Sequence, residues 1–231
     1  MLRWEDYRGP YQKLVGAFAR KLERKSARPA HYKPGTLLCS LETKDKFKLF
    51  VEDTFDPVSL LSADFHASLD QASNRDPSFG QGTEGYGRRL AADFGGQTTW
   101  RFFTDFAYPT VFLEDPRYYP LGQGSAGARV LHATEHAFVA HRDDGTHMFN
   151  FSLWLGTGTA IALSDLYHPG NARGFGPGLR ATGYSVAGSM GFDIIREFVP
   201  EIARKLHLPF RDARGLPGTS PSTLGGPPSI E

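Results

Sequence analysis

Apolar residues recur at helical spacing along most of this chain. Tyr11, Leu14, Val15, Phe18 and Leu22 share one face, while Lys13, Arg20 and Arg24, with Lys21 and Lys25 more lateral, lie away from it. This is the pattern of a basic amphipathic helix. Arg28-Pro29 and Lys33-Pro34-Gly35 mark 26–40 as a linker. A second helix is predicted from Thr43, with Phe47, Phe50, Val51 and Thr54 inward. Asp56-Pro57 then supplies an N-cap and a first-turn proline for a third helix, whose expected buried stripe is Leu61, Phe65, Leu69 and Ala72. Residues 74–82 read as a loop. Thr83-Glu84 opens a long helix through Tyr86, Leu90, Phe94 and Arg101 toward Phe106, which Pro109 kinks or ends.

Residues 115–127 form a second loop by their prolines and glycines, and 126–137 are helical by composition. Asp143-Asp144-Gly145, flanked by Phe138-Val139-Ala140 and Met148-Phe149, signals a short β-hairpin. A plain turn in an all-helical chain is the alternative. Two further helices are expected at 150–167 and 179–199, the latter broken by Pro200 before a final turn at 201–206. They carry small residues four apart: Ser152, Gly156, Ala160 and Ser164 in one, Gly183, Ala187 and Gly191 in the other. Such stripes let helix backbones approach closely. The fold class is therefore mainly α, a Gly-rich helical bundle with one short hairpin. It divides into an N-terminal basic helix and linker at 1–40, a bundle at 41–207, and a Pro/Gly/Ser-rich tail at 208–231 that is expected to be disordered.

A net charge of +1 conceals an asymmetry. Residues 1–50 hold 12 Lys or Arg against 5 Asp or Glu, whereas 51–231 hold 14 against 20. After Lys48 the only lysine is Lys205, so the body offers no broad basic surface and nucleic-acid binding is not expected. The basic helix at 11–25 is a candidate contact for an anionic membrane surface or a protein partner; the simpler reading docks its apolar face on the body or a partner and leaves its basic face solvated. Cys39 is alone and closes no disulfide within the chain. The opening residues carry Glu5 and Asp6 and no continuous apolar run, so no secretory leader is expected. No stretch has the ~18 uninterrupted apolar residues of a simple spanning helix.

The sharpest chemical pattern is His132-Ala-Thr-Glu135-His136. On a helix the two histidines share a face and could ligate zinc, with Glu135 as general base on a metal-bound water. A third ligand would have to come from Glu197 or Glu201, or from His141 or His147 in a structural site. Without one identified, no metal and no cofactor are expected, and surface histidines are the simpler account. Asp93, Asp105, Asp165 and Asp193 each sit within an apolar helix, where a carboxylate is costly unless paired, and Arg101 and Arg196 are available partners. Glycines 80, 82, 85 and 87 lead into Arg88-Arg89, an arrangement that could hold an anion but lacks a phosphate-loop consensus.

The succession Glu84-Gly-Tyr-Gly-Arg-Arg89, Asp115-Pro-Arg-Tyr-Tyr-Pro120, Asp144-Gly145 with Phe149-Asn-Phe-Ser152, Leu166-Tyr-His-Pro169 and Arg196-Glu-Phe-Val-Pro-Glu201 resembles a family of uncharacterised bacterial proteins over 44–206. The resemblance implies no particular activity. Members of that family often carry an export signal, which implies an envelope location. The H-x-x-E-H run lies outside the shared pattern. The expected function is a structural, lipid-contacting or partner-binding role at a membrane or in the envelope; the alternative is a zinc-dependent hydrolase using His132, Glu135 and His136.

Overall fold

A computed structural model describes residues 9–27, 41–166 and 174–205. The expected tail, most of the linker and Cys39 lie outside these residues. Among the described residues eight α-helices are seen: α1 (Gln12–Arg24), α2 (Thr43–Thr54), α3 (Pro57–Ala72), α4 (Gly82–Arg101), α5 (Tyr108–Phe112), α6 (Ala126–Glu135), α7 (Phe151–Ser164) and α8 (Phe175–Lys205). A small antiparallel sheet joins them, with β1 (Glu114–Asp115), β2 (Val139–Arg142) and β3 (His147–Phe149) in the order β1-β2-β3. The architecture is mainly α, as the periodicity predicts.

Local signals set several boundaries. The Asp56 carboxylate accepts from the Val58 amide at 2.8 Å with Pro57 at the first helical position, which fixes the start of α3. Asn150 caps α7 through the Leu153 amide at 2.9 Å. The hairpin is present, pairing Val139 with Phe149 and His141 with His147, so the all-helical alternative is excluded. The helical run does not end at Pro109, which lies in the first turn of α5. It passes through a π-helical segment, Phe102–Ala107, that carries the helix on to Phe112. A π segment inserts an extra residue per turn and re-aims side chains; here it turns the consecutive residues Thr104 and Asp105 inward. The last helix starts earlier than expected and continues past Pro200 to Lys205.

The faces chosen for burial differ from the expected ones. In α3 the buried residues are Ser59, Ala63 and Ala67, while Leu61 and Phe65 are 56% and 60% exposed. In α2 they are Lys46, Leu49, Asp53 and Thr54, and Phe47 turns outward onto Phe50 and Phe106. The apolar residues buried among the described positions number thirteen, nine of them alanine and none phenylalanine or isoleucine; ten phenylalanines are exposed. The largest fully buried side chains instead include Lys46, Glu114 and Glu197. Interiors normally take the large apolar residues and exclude charge. This bundle does the reverse.

The small-residue stripes split. Ser152, Gly156 and Ala160 are buried, and α7 approaches the π segment so closely that a Cβ on Gly156 would lie 2.8 Å from Thr104 Cγ2. The second stripe does not pack: Gly183 and Gly191 have open space where a Cβ would stand, and Ala187 is exposed. On α8 the buried positions are Thr182, Val186, Asp193 and Glu197. Gly156→Leu is therefore expected to cost about 1–3 kcal/mol or more by overpacking, and Ala187→Leu to stay within about 0.5 kcal/mol of the parent. Denaturant melts of the two variants check this; equal losses would show that α8 packs through Ala187 after all.

Candidate functional site: a charged chamber in the bundle

The charges of α1 are drawn inward. Lys21 hydrogen-bonds Ser59 Oγ, Arg24 holds Asp56 at 2.8 Å, and Lys25, just past the helix end, sits 2.6 Å from Asp105 and 3.7 Å from Asp53. Only the outer edge of α1, with Lys13 and Arg20, keeps its basic residues exposed. Lys21, Arg24 and Lys25 thus serve the interior, where the helical spacing alone leaves them on the polar side of α1. The segment is tied down further where Ala27 and Tyr118 exchange backbone bonds with α1's exit: Ala27 N to Tyr118 O at 2.7 Å and Tyr118 N to Lys25 O at 2.8 Å.

Asp53 is the hub of this cluster. Arg101 Nε lies 3.0 Å away, Arg24 3.5 Å and Lys21 4.0 Å. Burial works to raise its carboxyl, and the charges of Lys25, Lys21, Arg101 and Arg24 outweigh that and hold it below the ordinary carboxylate range. Asp105 behaves oppositely: burial raises it despite Lys25, with Asp53 adding like-charge repulsion. Lys21 is lowered to about 8, mostly by burial.

These groups face a chamber of about 580 Å³ that runs from α1 and α3 to α7 and α8. On its far side Glu114 of β1 accepts the first amides of α7, Phe151 N at 3.1 Å and Ser152 N at 3.0 Å, a carboxylate placed on a helix N-terminus; burial still pushes its carboxyl up. Asp193 of α8 receives His136 Nδ1 at 2.8 Å and Arg196 at 2.5 Å. Burial would raise Asp193, and those two partners bring it below the usual range. Asn150 orients the turn by donating to the His136 carbonyl at 2.8 Å.

Of the four acids singled out in the sequence, Asp105 and Asp193 line the chamber, and Arg196 is the partner of Asp193 as expected; Arg101 goes to Asp53 instead. Asp93 and Asp165 lie elsewhere. Lys25, Asp53, Glu114 and Asn150 carry no local signal of a site. The first two become partners across long stretches of chain, and only the charge imbalance between the first fifty residues and the rest hints at it.

The H-x-x-E-H residues are not assembled as a zinc centre. His132 Nε2 is bonded to the Tyr119 carbonyl at 2.8 Å, His136 serves Asp193, and Glu135 is exposed. The proposed third ligands are also taken. Glu197 is bound by Arg129, Tyr118 and the amides of Leu121 and Gly122, and Glu201 by Arg129. His141 and His147 face one another with Nε2 atoms 3.2 Å apart. Burial and the neighbouring histidines lower His141 to about 4. Among the described residues no three His, Cys, Asp or Glu side chains converge in a group that could hold a metal ion.

The glycine-rich run before Arg88-Arg89 is likewise structural. Arg89 is buried and donates to the carbonyls of Arg75, Asp76 and Gly80, stitching the 73–81 loop to α4. Gly85 permits this, because a Cβ there would stand 2.4 Å from Gly80 O. Arg88 pairs with Glu84 on the surface. The chamber is thus the one place among the described residues where unassigned charge, space and an opening coincide. Compared with protein families, curated proteins and solved structures, the chain matches none.

Proposed function

We propose that the protein is a membrane- or envelope-associated helical protein, seated with apolar helix faces against lipid, whose polar interior serves a ligand drawn from that environment. The observation that carries this is the inversion of the bundle: alanines and ion pairs inside, phenylalanines and leucines outside. So many exposed large apolar side chains suit a surface that meets another apolar phase, and charges turned to the bundle interior and paired there suit the same surroundings. No helix among the described residues is long and apolar enough to cross a membrane. The contact proposed is through the sides of helices lying at the lipid surface. Because Lys21, Arg24 and Lys25 are engaged internally, it is apolar rather than electrostatic.

The protein should stay with membranes through a high-salt wash and an alkaline carbonate wash, and be released by non-ionic detergent. Leu60→Lys with Leu69→Lys changes two exposed positions of α3 and should leave stability within about 0.5 kcal/mol per site while lowering retention after carbonate. A protein recovered as a soluble monomer without detergent would overturn the proposal.

A further inference from the structure

The chamber has two kinds of wall. Its rim is apolar, formed by Phe18 of α1, Leu61 and Phe65 of α3 and Phe192 of α8, all exposed. Its floor is polar and deep, with Arg101 7% and Asp105 3% exposed. A ligand that fits must bring its polar end in first and leave an apolar body at the rim, which describes an amphiphile. At about 580 Å³ the space suits a single-chain molecule.

The floor also specifies the sign of the head group. Every acid there is already engaged: Asp53 and Asp105 by cations, Asp193 by His136 and Arg196, Glu114 by two amides of α7, and Asp115 by Arg117 and Tyr119. Of the floor's buried polar atoms left without a hydrogen-bond partner, most are guanidinium nitrogens, beside the Ser152 hydroxyl and an Asp105 oxygen that Lys25 approaches at 2.6 Å. Arg101 Nη1 and Arg196 Nε are buried without a hydrogen-bond acceptor, and His136 uses only Nδ1 among the contacts that hold it. A buried guanidinium N–H without an acceptor is costly, and the group that satisfies several such donors at once is an oxyanion.

We propose that the chamber binds a single-chain anionic amphiphile head-first, its oxyanion met by Arg101 and Arg196 and its chain leaving between Phe18, Leu61, Phe65 and Phe192. The ligand class rests on the proposed lipid contact as its source; the pocket chemistry does not depend on it. Fatty acids and single-chain phospholipids share this chemistry.

The test uses the full chain in non-ionic detergent with a fluorescent long-chain fatty acid, displaced in turn by hexadecanoate, a palmitoyl lysophosphatidate and hexadecanol. The probe should bind, and an anionic competitor should displace it at a concentration at least tenfold below that of the alcohol. Which of the two anions is the better competitor assigns the head as carboxylate or phosphate. Arg196→Gln should remove most of the preference over the alcohol. Ser62→Trp, at a half-exposed position lining the chamber, fills the space without touching the ion pairs, and should weaken probe binding at least tenfold with an unchanged melt. Absence of probe binding, equal displacement by alcohol and anions, or undiminished binding in a folded Ser62→Trp would each overturn the proposal. Carbonate retention is measured separately on the parent protein, so failure of the lipid-contact proposal would be seen independently of this one.

Discussion

Replacing Glu197 by alanine should produce one of the largest losses of stability of any single substitution, about 3–5 kcal/mol. Its side chain is fully buried and anchors four groups: Arg129 Nε at 2.8 Å, the Tyr118 hydroxyl at 2.8 Å, and the Leu121 and Gly122 amides at 2.9 and 2.8 Å. Alanine would leave Arg129, itself buried, with only the part-exposed Glu201 carboxylate, and would orphan two amides in the connection between β1 and α6. The pair links α6 to α8, so the loss is long-range and should appear as a lower midpoint for the whole transition, by roughly 6–20 °C for a domain of this size. Burial tends to raise Glu197, and Arg129, the Gly122 amide, Tyr118 and the Leu121 amide together bring it below its ordinary 4.5. A depressed carboxyl binds its proton more weakly folded than unfolded. Its contribution is therefore complete above pH 4.5 and is lost as pH falls through the folded value. Glu197→Gln should remove that part of the acid limb and keep most of the packing. An unchanged melt in Glu197→Ala would mean that the α6–α8 ion pair does not hold the two helices together.

Much of the architecture is legible from local chemistry. The Asp56-Pro57 start of α3, the hairpin at Asp143-Asp144-Gly145 and the small-residue face of α7 each depend on residues within one turn of each other. What periodicity does not determine is which face of an amphipathic helix goes inside. In α3 the leucine and phenylalanine stripe is real, yet Ser59, Ala63 and Ala67 are the buried side. Small residues allow α3 to close on α4, and Ser59 reaches the Asp53 carbonyl at 2.6 Å and Lys21. An inward-apolar assumption fails wherever the neighbours fill the interior with ion pairs.

The chamber follows the same division. Asp105 and Asp193 stand out in sequence because a carboxylate in an apolar helix needs an explanation. Asp53, Glu114 and Lys25 do not, since Asp53 sits among charged neighbours in α2, Glu114 in a loop-like stretch and Lys25 in a basic run. Their roles arise from pairings 28 to 80 residues apart in sequence, such as Lys25 with Asp53 and with Asp105. The H-x-x-E-H run misleads for the converse reason: its spacing puts two histidines on one face of α6, but that face meets the Tyr119 carbonyl and Asp193.

Asp53→Asn and Asp105→Asn should separate by at least 2 kcal/mol, although both remove one charge from the same buried cluster, with the Asp53 variant losing about 3–5 kcal/mol. Asp53 faces Arg101, Arg24, Lys25 and Lys21, all within 4.0 Å. An amide in its place leaves a buried concentration of positive charge answered by Asp105, Asp56 and, at the outer edge, Glu52. Asp105 is engaged chiefly by Lys25, and burial shifts its carboxyl upward, toward the protonated form that an amide mimics. The pH dependences have opposite signs. Asp53 is depressed below its ordinary 3.8, so its contribution is present above that pH and is lost as pH falls through the folded value. Asp105 is raised above 3.8, so the folded state holds its proton more tightly. Its contribution is greatest at low pH and declines as pH rises from the unfolded value through the folded one. Urea unfolding between pH 3 and pH 8 should therefore show Asp53→Asn losing stability mainly at the neutral end, and Asp105→Asn close to the parent in acid, where the parent itself carries the proton, and no weaker than the parent at the neutral end. Equal losses at neutral pH would show that the two carboxylates share the cations evenly, and that Asp53 is not the group on which the chamber's charge balance turns.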